Sequence, residues 1–423
     1  MIWYFEDTLD APALIDSLRV TLTEDYPVLL GRYTQLGSAI QLNNAGVPVE
    51  YETVSTPRTA AEAMAHLQRD RTEARLFGRT AHETFVPAKA LMDPDTCNPE
   101  APLLSIKITM FSGGGTALGM LLQHGVADAD SAITFTRNWS RRFRGLRPDP
   151  VPDHDRCSPA FRLDNILSAS EAPPKPDGLE GMKVLEPGEA AVPEFAPVAP
   201  KIMGDSACAV PFSRDALASM KATASASLAE GSFVSTDDVL TAHVWKAMCV
   251  MRCSQLGLSA SACDETTTCA RACNLRPRFT TPPLARGFFG NAVTQVNTSL
   301  TVRQLLTMSP GEVALRLRGT LQAQTPEALA ARAQWQHWEQ GQATGRKTSF
   351  TFDPLALTFI ISSWNFDWEG VDFGTRPLCF DHGALTPVTG VFTPSPQGDG
   401  LDVWTAASPD ALAAFSNELR VGV

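Results

Sequence analysis

The chain has 423 residues, 44% hydrophobic and 19% charged, with a formal net charge of −11. That length and apolar fraction support a large core and roughly two or three domains, while the acidic balance excludes nucleic acid or an anionic membrane as the main partner. No run of ~18 uncharged apolar residues is present, so no membrane insertion is expected, and Glu6, Asp7 and Asp10 argue against a signal peptide and for a cytoplasmic protein.

Leu14, Leu18 and Leu22 recur at helical spacing, and Tyr26-Pro27 ends that helix. QLNNAGVPVEY (41–51) reads as strand, turn and strand, and residues 61–76 as a second helix. LLSIKITMF and TALGMLLQH are apolar strands joined at Gly113, Gly114 and Gly115, a hairpin deep in a sheet. A helix with an acidic N-cap, Asp128 or Asp130, then carries Ile133, Trp139 and Phe143 on one face. Its basic run, Arg137, Arg141, Arg142, Arg144 and Arg147, reads as a solvated face.

Residues 171–201 are Pro-rich and weakly periodic, as expected of an extended linker. Two helices follow, one capped by Ser213 and one, more buried, capped by Ser235 or Thr236. ALTFIISSW reads as a strand. There is no solenoid repeat. The expected organisation is two α/β lobes, 1–185 and 209–423, joined by a crossover at 186–208.

The nine cysteines are odd in number and thinly spread, which is not a disulfide framework. Cys249, Cys253, Cys263, Cys269 and Cys273 share one segment with His243, but their irregular spacing does not fit zinc, and no metal site is expected. G-x-S-x-G is missing, and the glycine run lacks both the P-loop lysine and a third dinucleotide-fingerprint glycine, Leu118 standing there instead.

His124 is the strongest chemical candidate. It lies where an apolar strand gives way to a helix, a position that presents a side chain to a cleft from a rigid backbone. An imidazole titrating near neutral pH can take a proton from a hydroxyl or amine. Asp128, four residues on, could orient the imidazole, cap the helix or pair with a distant arginine.

PLLSIKITMFSGGGTALGMLLQHGVADADSAITFTRNWS resembles the central segment of the BAHD acyltransferases, whose HxxxD motif is matched by His124 to Asp128. Three further stretches occur in the family's order. LIDSLRVTLTEDYPVLLGRY resembles its N-terminal segment. ARACNLRPRFTTPPLARGFFGNAV resembles its Arg-rich, Pro-Pro, Phe-Gly-Asn block through Arg276, Arg278, Phe289, Gly290 and Asn291. Ser362-Ser363-Trp364 and Asp372-Phe373-Gly374 resemble its Ser-Trp and DFGWG pair. Ala129 replaces the glycine that usually follows HxxxD, and DFGWG stops at Gly374.

The resemblance implies two similar lobes of the chloramphenicol acetyltransferase-like type, mixed sheets flanked by helices with a long crossover, in a monomer without a resident cofactor. It implies His124 as general base in direct transfer from an acyl-coenzyme A to a hydroxyl or amine of a small metabolite, without an acyl-enzyme. It gives Asp128 a structural role paired with Arg276, and Asp372 and Gly374 a supporting one. Coenzyme A contacts are implied at Ser232, Ser235, Asn274, Arg278, Ser363 and Trp364.

Two other readings share the fold. A condensation-type transferase uses a carrier-protein thioester, but its usual doubled histidine is Gln123-His124 here. A non-catalytic relative would bind a metabolite or partner protein, which the eroded DFGWG favours and the retained His124 opposes. The arginine handle of the hydroxycinnamoyl-shikimate enzymes falls at Leu355 in an ungapped count, with Arg346 nearby, so shikimate is not favoured as acceptor.

Overall fold

The computed structural model describes residues 1–33, 40–41, 53–56, 75–78, 85–87, 102–161, 171–176, 182–187, 189, 202, 204, 206–259, 264–341, 346–350, 357–366, 368, 370–381, 388–395 and 400–420. In chain order the first elements are β1 (Ile2–Phe5), α1 (Ala11–Val20), β2 (Arg32–Tyr33), β3 (Ile40–Gln41), β4 (Thr53–Thr56) and β5 (Arg75–Gly78). The hairpin β6 (Leu104–Phe111) and β7 (Thr116–Leu122) leads into α2 (Ala129–Phe143), and β8 (Met182–Leu185) follows. The second half contains β9 (Ser206–Phe212), α3 (Arg214–Ala226), α4 (Thr236–Leu256), β10 (Thr266–Asn274) and β11 (Val293–Thr301). Then come α5 (Val302–Thr307), α6 (Pro310–Gln322), α7 (Pro326–Gly341), β12 (Lys347–Phe350), β13 (Leu357–Ser363), β14 (Cys379–Asp381), β15 (Thr389–Pro394), β16 (Leu401–Ala407) and α8 (Pro409–Arg420).

Among the described residues the strands form a five-stranded sheet, β14-β1-β7-β6-β4, and a seven-stranded sheet, β11-β10-β13-β15-β16-β9-β5. Both are mixed: β4 runs parallel to β6, and β13 runs parallel to β10 and β15. Each sheet borrows a strand. β14, from the C-terminal half, pairs with β1 through Ile2–Asp381, Trp3–Phe380 and Tyr4–Cys379. β5, from the N-terminal half, closes the edge of the other sheet against β9.

Strand β1 shows how the sheets meet. Side chains alternate along a strand, so Trp3 and Phe5 enter a core with Leu14, Leu18, Phe135 and Trp139. Ile2 and Tyr4 face the other way, into a cluster with Ala207, Ala209, Val391 and Trp404 of the second sheet. A strand apolar on both faces is what burial between two layers requires. The second sheet carries its own core, in which Trp245 and Met248 of α4 pack with Phe359, Phe392 and Phe415.

Local chemistry sets the element ends. Gly114 and Gly115, both at φ 99°, make the turn between β6 and β7 in a region that only glycine enters without strain. Asp10 caps α1, accepting from the Ala13 N–H at 3.0 Å. Ser213 caps α3, and Ser235 caps α4 in a reciprocal capping box with Asp238.

Three expectations need correction. Within the Pro-rich stretch, residues 182–185 form a strand paired with Lys347–Phe350, with Met182 and Leu185 buried. The helix expected at 61–76 ends differently, since Arg75 and Leu76 are paired in β5, and its remainder lies outside the described residues. The basic residues of α2 are not simply solvated. Arg142 grips Asp25 at 2.6 and 2.7 Å, Arg144 meets Asp372 at 2.8 Å, and Arg141 donates to the Arg147 carbonyl at 2.7 Å. Beyond Gln41, the 41–51 hairpin is outside the described residues. The division at 186–208 mostly shares that position.

Candidate active site

His124 sits in the turn between β7 and α2 with its side chain exposed. The turn is bound on three sides. From the second half, the Asn291 side-chain amide donates to the His124 carbonyl at 2.6 Å. Arg156 donates to the Val126 carbonyl at 2.9 Å. Gly125 lies so close to Tyr33 that a Cβ there would meet its hydroxyl at 2.4 Å. A side chain in place of Gly125 would therefore need Tyr33 to shift, although the backbone φ there is ordinary.

Asp128 anchors the end of that turn and is 5% exposed. Its carboxylate caps α2 by accepting from the Ser131 N–H at 3.0 Å and also accepts from the Ala292 N–H at 2.8 Å. Arg276 completes the shell with two parallel bonds of 2.8 and 3.0 Å. Such a fork on a carboxylate is the strong, directional form of an ion pair. With both carboxylate oxygens engaged by Ser131, Ala292 and Arg276, Asp128 joins the two halves of the chain.

Arg276 extends the joint. It donates to Ser131 Oγ at 2.7 Å and lies 3.0 Å from an Asp130 carboxylate oxygen. Burial pushes the Asp130 carboxyl above its ordinary value, against the pull of the Arg276 charge. Ser131 Oγ in turn accepts from the Gly290 N–H at 3.1 Å. A Cβ on Gly290 would meet the Phe288 ring at 2.7 Å, so the glycine lets this loop close onto α2.

A cavity of about 410 Å³ opens beside the histidine turn, with Gly125 and Asn291 in its wall. Phe161, Phe279 and Phe288 give it an aromatic side, Phe161 meeting the other two edge-on at 5.4 and 5.3 Å. Its described lining includes one hydroxyl, Thr294, and neither serine nor cysteine.

The other sequence-derived residues are spread over several elements. Ser232 is exposed ahead of α4, and Ser235 is occupied by its cap, its hydroxyl 2.7 Å from an Asp238 carboxylate oxygen. Burial raises the Asp238 carboxyl, but bonds from Ser235 and the charges of Arg271 and Arg318 overcome this and leave it below its usual value. Asn274 is exposed and accepts from the Arg276 N–H at 3.0 Å. Arg278 donates to Cys273 Sγ at 3.2 Å and to the Gln324 carbonyl at 3.0 Å. Ser363 is half-buried at the end of β13. Next to it, Trp364 stacks on Phe380 at 6.1 Å and donates to Ser362 Oγ at 3.0 Å, packing against both sheets' clusters.

Asp372 and Gly374 belong to a different place. Asp372 meets Arg144 and, through its N–H, Ser140 Oγ at 3.1 Å, in the last turn of α2. Gly374, at φ 87°, donates to Asp372 Oδ1 at 2.9 Å. Phe373 between them packs edge-on to Trp139, Phe143 and Phe5. His124 precedes the opposite end of this 15-residue helix, about 20 Å away at ~1.5 Å per residue.

Tyr33, Ser131, Arg156 and Ala292, all in contact with the histidine turn or its joint, carried no sequence signal of a role. Asn291 did, as the third residue of Phe-Gly-Asn, although its contact with His124 did not follow from it. Among the described residues, no group of three or more potential ligands could hold a metal ion, and no helix is long and apolar enough to cross a membrane. Among the described cysteines no disulfide is formed, and of the segment's five, Cys249, Cys253, Cys269 and Cys273 are buried, while Cys263 is outside the described residues.

The description "Transferase family" matches residues 13–421. Putrescine hydroxycinnamoyltransferase 1 of Oryza sativa subsp. japonica is 27% identical over 331 residues, covering 74% of this chain and 68% of that protein. Tryptamine benzoyltransferase 1 of the same plant is 26% identical over 427 residues, covering 95% and 84%. Among solved structures, F. sporotrichioides TRI101 complexed with coenzyme A and T-2 has a TM-score of 0.66 at 19% identity, covering 97% of this chain and 92% of that one.

Proposed function

The chain belongs to the Transferase family, the BAHD acyltransferases, and from that premise we propose that it moves an acyl group from coenzyme A directly to a hydroxyl or amine, with His124 as base. It is an acyltransferase of the kind that acts on small metabolites. The observation that carries the finer reading is the placement of His124: an exposed imidazole beside a cavity, on a turn clamped by Asn291 from the other half of the chain.

The imidazole takes the proton from the acceptor O–H or N–H as the freed oxygen or nitrogen attacks the thioester carbonyl carbon. The tetrahedral oxyanion collapses, the carbon–sulfur bond breaks, and the coenzyme A thiolate leaves and recovers the proton from the imidazolium. A positioned base of this kind contributes about 10²–10⁴-fold. Holding both reactants against one turn supplies the orientation term. The scarcity of nucleophilic side chains in the described cavity wall supports transfer without an acyl-enzyme.

Coenzyme A is expected to run along Ser232, Ser235, Asn274, Arg278, Ser363 and Trp364. Ser235 and Trp364 shape that surface more than they bond to it, since the cap and the Ser362 contact already use their polar atoms. Arg278 offers the cationic contact for a phosphate. The relatives named above carry amine acceptors in their names, putrescine and tryptamine, which keeps N-acylation beside O-acylation. The reading includes a cytoplasmic monomer, with thiols that form no disulfide among the described cysteines in support.

The test is thiol release from acyl-coenzyme A donors with alcohol and amine acceptors, wild type beside His124→Ala. Acceptor-dependent release lost in the variant is the expected result. Release that survives in the variant would remove His124 from its role, and failure to bind coenzyme A would remove the donor.

A further inference from the structure

The cavity beside His124 is walled in part by a small hydrophobic cluster of its own. Phe288 is buried there with Ala160, Leu284 and Ala292, and Phe161, Leu275 and Phe279 pack against them. Phe161 stands edge-on to Phe279 and Phe288, at interplanar angles of 82° and 69°. The Arg276 guanidinium lies over Phe288 at 5.9 Å, so this aromatic wall is tied to the Asp128 joint.

Helix α7 supplies another part of the wall through Pro326, Leu329, Ala330 and Ala333. Their spacing, i, i+3, i+4 and i+7, puts all four on one face. An amphipathic helix ordinarily fills such a stripe with large apolar side chains that pack onto a core. Here two of the four positions hold only a methyl group, and both line the cavity. Three polar side chains of the wall bond to the protein itself. Arg156 donates to the Val126 carbonyl, Arg332 to the Gln295 carbonyl and Gln336 to Met182 Sδ.

An apolar cavity of ~150 Å³ is enough for benzene, so 410 Å³ admits an aryl ring together with a short linker. An acetyl group would leave most of that space unfilled. Aromatic rings gain from edge-to-face neighbours beyond the area they bury, and an aliphatic chain has no such gain. We propose that the cavity takes an aryl ring on a short linker, and that Ala330 and Ala333 set the size of the group admitted. The ring enters on the acyl group or on the acceptor, and the same wall recognises both. The proposal rests on the transferase reading for its reaction, though not for its binding site.

The test uses the intact protein and reactants matched except for the ring. In the donor arm, 3-phenylpropanoyl-coenzyme A is compared with propanoyl-coenzyme A on a small aliphatic alcohol or amine. In the acceptor arm, 3-phenylpropan-1-ol and 3-phenylpropan-1-amine are compared with propan-1-ol and propan-1-amine, with propanoyl-coenzyme A as donor. Calorimetry of 3-phenylpropanamide against propanamide reads binding without turnover. The ring should be preferred in one arm by about tenfold to hundredfold in kcat/KM, the range over which apolar pockets discriminate by size, and in calorimetry by a similar factor. The arm that shows it identifies the reactant in the cavity. Nonanoyl-coenzyme A and nonan-1-ol, straight chains of equal carbon count, should be poorer than their aryl counterparts.

Ala333→Leu should cut the ring preference by about tenfold or more. Leucine is a good helix former and its side chain would extend into the cavity, so the fold should hold, with the thermal midpoint as the check. Ala330→Leu is a second variant with the same expectation. No preference for the ring in either arm or in calorimetry would overturn the proposal, and so would straight chains that equal the aryl reactants. A preference undiminished in both folded leucine variants would remove the alanines from their role. Ring binding that the leucine substitutions abolish, without thiol release from any pair, would instead count against the transferase reading and leave the cavity assignment standing.

Discussion

The side-chain amide of Asn291 donates to the main-chain carbonyl of His124 at 2.6 Å, across 167 residues of sequence. His124 is therefore held through its backbone by a loop of the other half, while its side chain stays exposed. Asn291→Ala removes this tether and little else, since Asn291 Oδ1 has no hydrogen-bond partner. We expect kcat to fall about fivefold, in line with a bond worth ~1 kcal/mol, with KM for coenzyme A nearly unchanged. A larger effect on KM than on kcat, from steady-state kinetics, would contradict a positioning role.

Removing the imidazole, the proposed base, is the more severe change. His124→Ala should lower kcat by about 10²–10⁴-fold while the urea midpoint stays that of the wild type, because the side chain is exposed and supports no core contact.

Asp128 should respond in the opposite sense. Asp128→Ala leaves Arg276 without its fork and two N–H groups without acceptors. Removing one partner of such a pair costs about 3–5 kcal/mol, so urea unfolding should show a large loss of stability along with lost activity. Normal stability with lost rate alone would move Asp128 into the chemistry.

Close approach of Gly125 to Tyr33 predicts a rescue. Gly125→Ala places a methyl 2.4 Å from the Tyr33 hydroxyl, whereas the next ring atom is 3.4 Å away. Activity should drop in Gly125→Ala and recover in part when Tyr33→Phe removes the hydroxyl. No recovery in the double variant would mean that the turn, rather than the contact, requires glycine.

His243 gives a pH dependence remote from the site. Burial, with the Lys246 charge adding to it, lowers its pKa from 6.5 to about 4. Below pH 6.5 the unfolded chain takes up a proton that the folded chain refuses, so stability is full above 6.5 and declines as pH falls toward about 4. The loss is on the order of 3 kcal/mol. His243→Gln should flatten the thermal midpoint across that range, and an unchanged slope would assign the pH dependence to other groups.

Local signals in the sequence were sufficient for the parts of the molecule that local physics builds. The hairpin around Gly114 and the leucine stripe of α1 each follow from a short pattern, and the two helix caps were narrowed to Asp128 or Asp130 and to Ser235 or Thr236, of which the fold uses Asp128 and Ser235. The borrowed strands do not. β14 is three residues long, with Cys379, Phe380 and Asp381 all buried, and its only reason to be a strand is β1. Met182–Leu185 is hidden for a similar reason, inside proline-rich sequence that suggests no partner. In the site, His124 stood out by its position and by motif, whereas nothing in the sequence singled out Tyr33 or Arg156, which reach its turn only through the fold.

The exchange of strands between the halves sets an order of events during synthesis. A ribosome that has released the first half of the chain has produced β1 without β14, and the His124 turn without Arg276 or Asn291. The exposed edge of β1 must wait for hundreds of further residues, and the charge of Asp128 for 148, before they are matched. At ~5–20 residues per second, that wait lasts on the order of ten seconds or more, with Ile2 and Tyr4 uncovered. Expression of the N-terminal half alone should thus yield aggregate rather than a lobe, and slow translation in the second half should lower the yield of the whole.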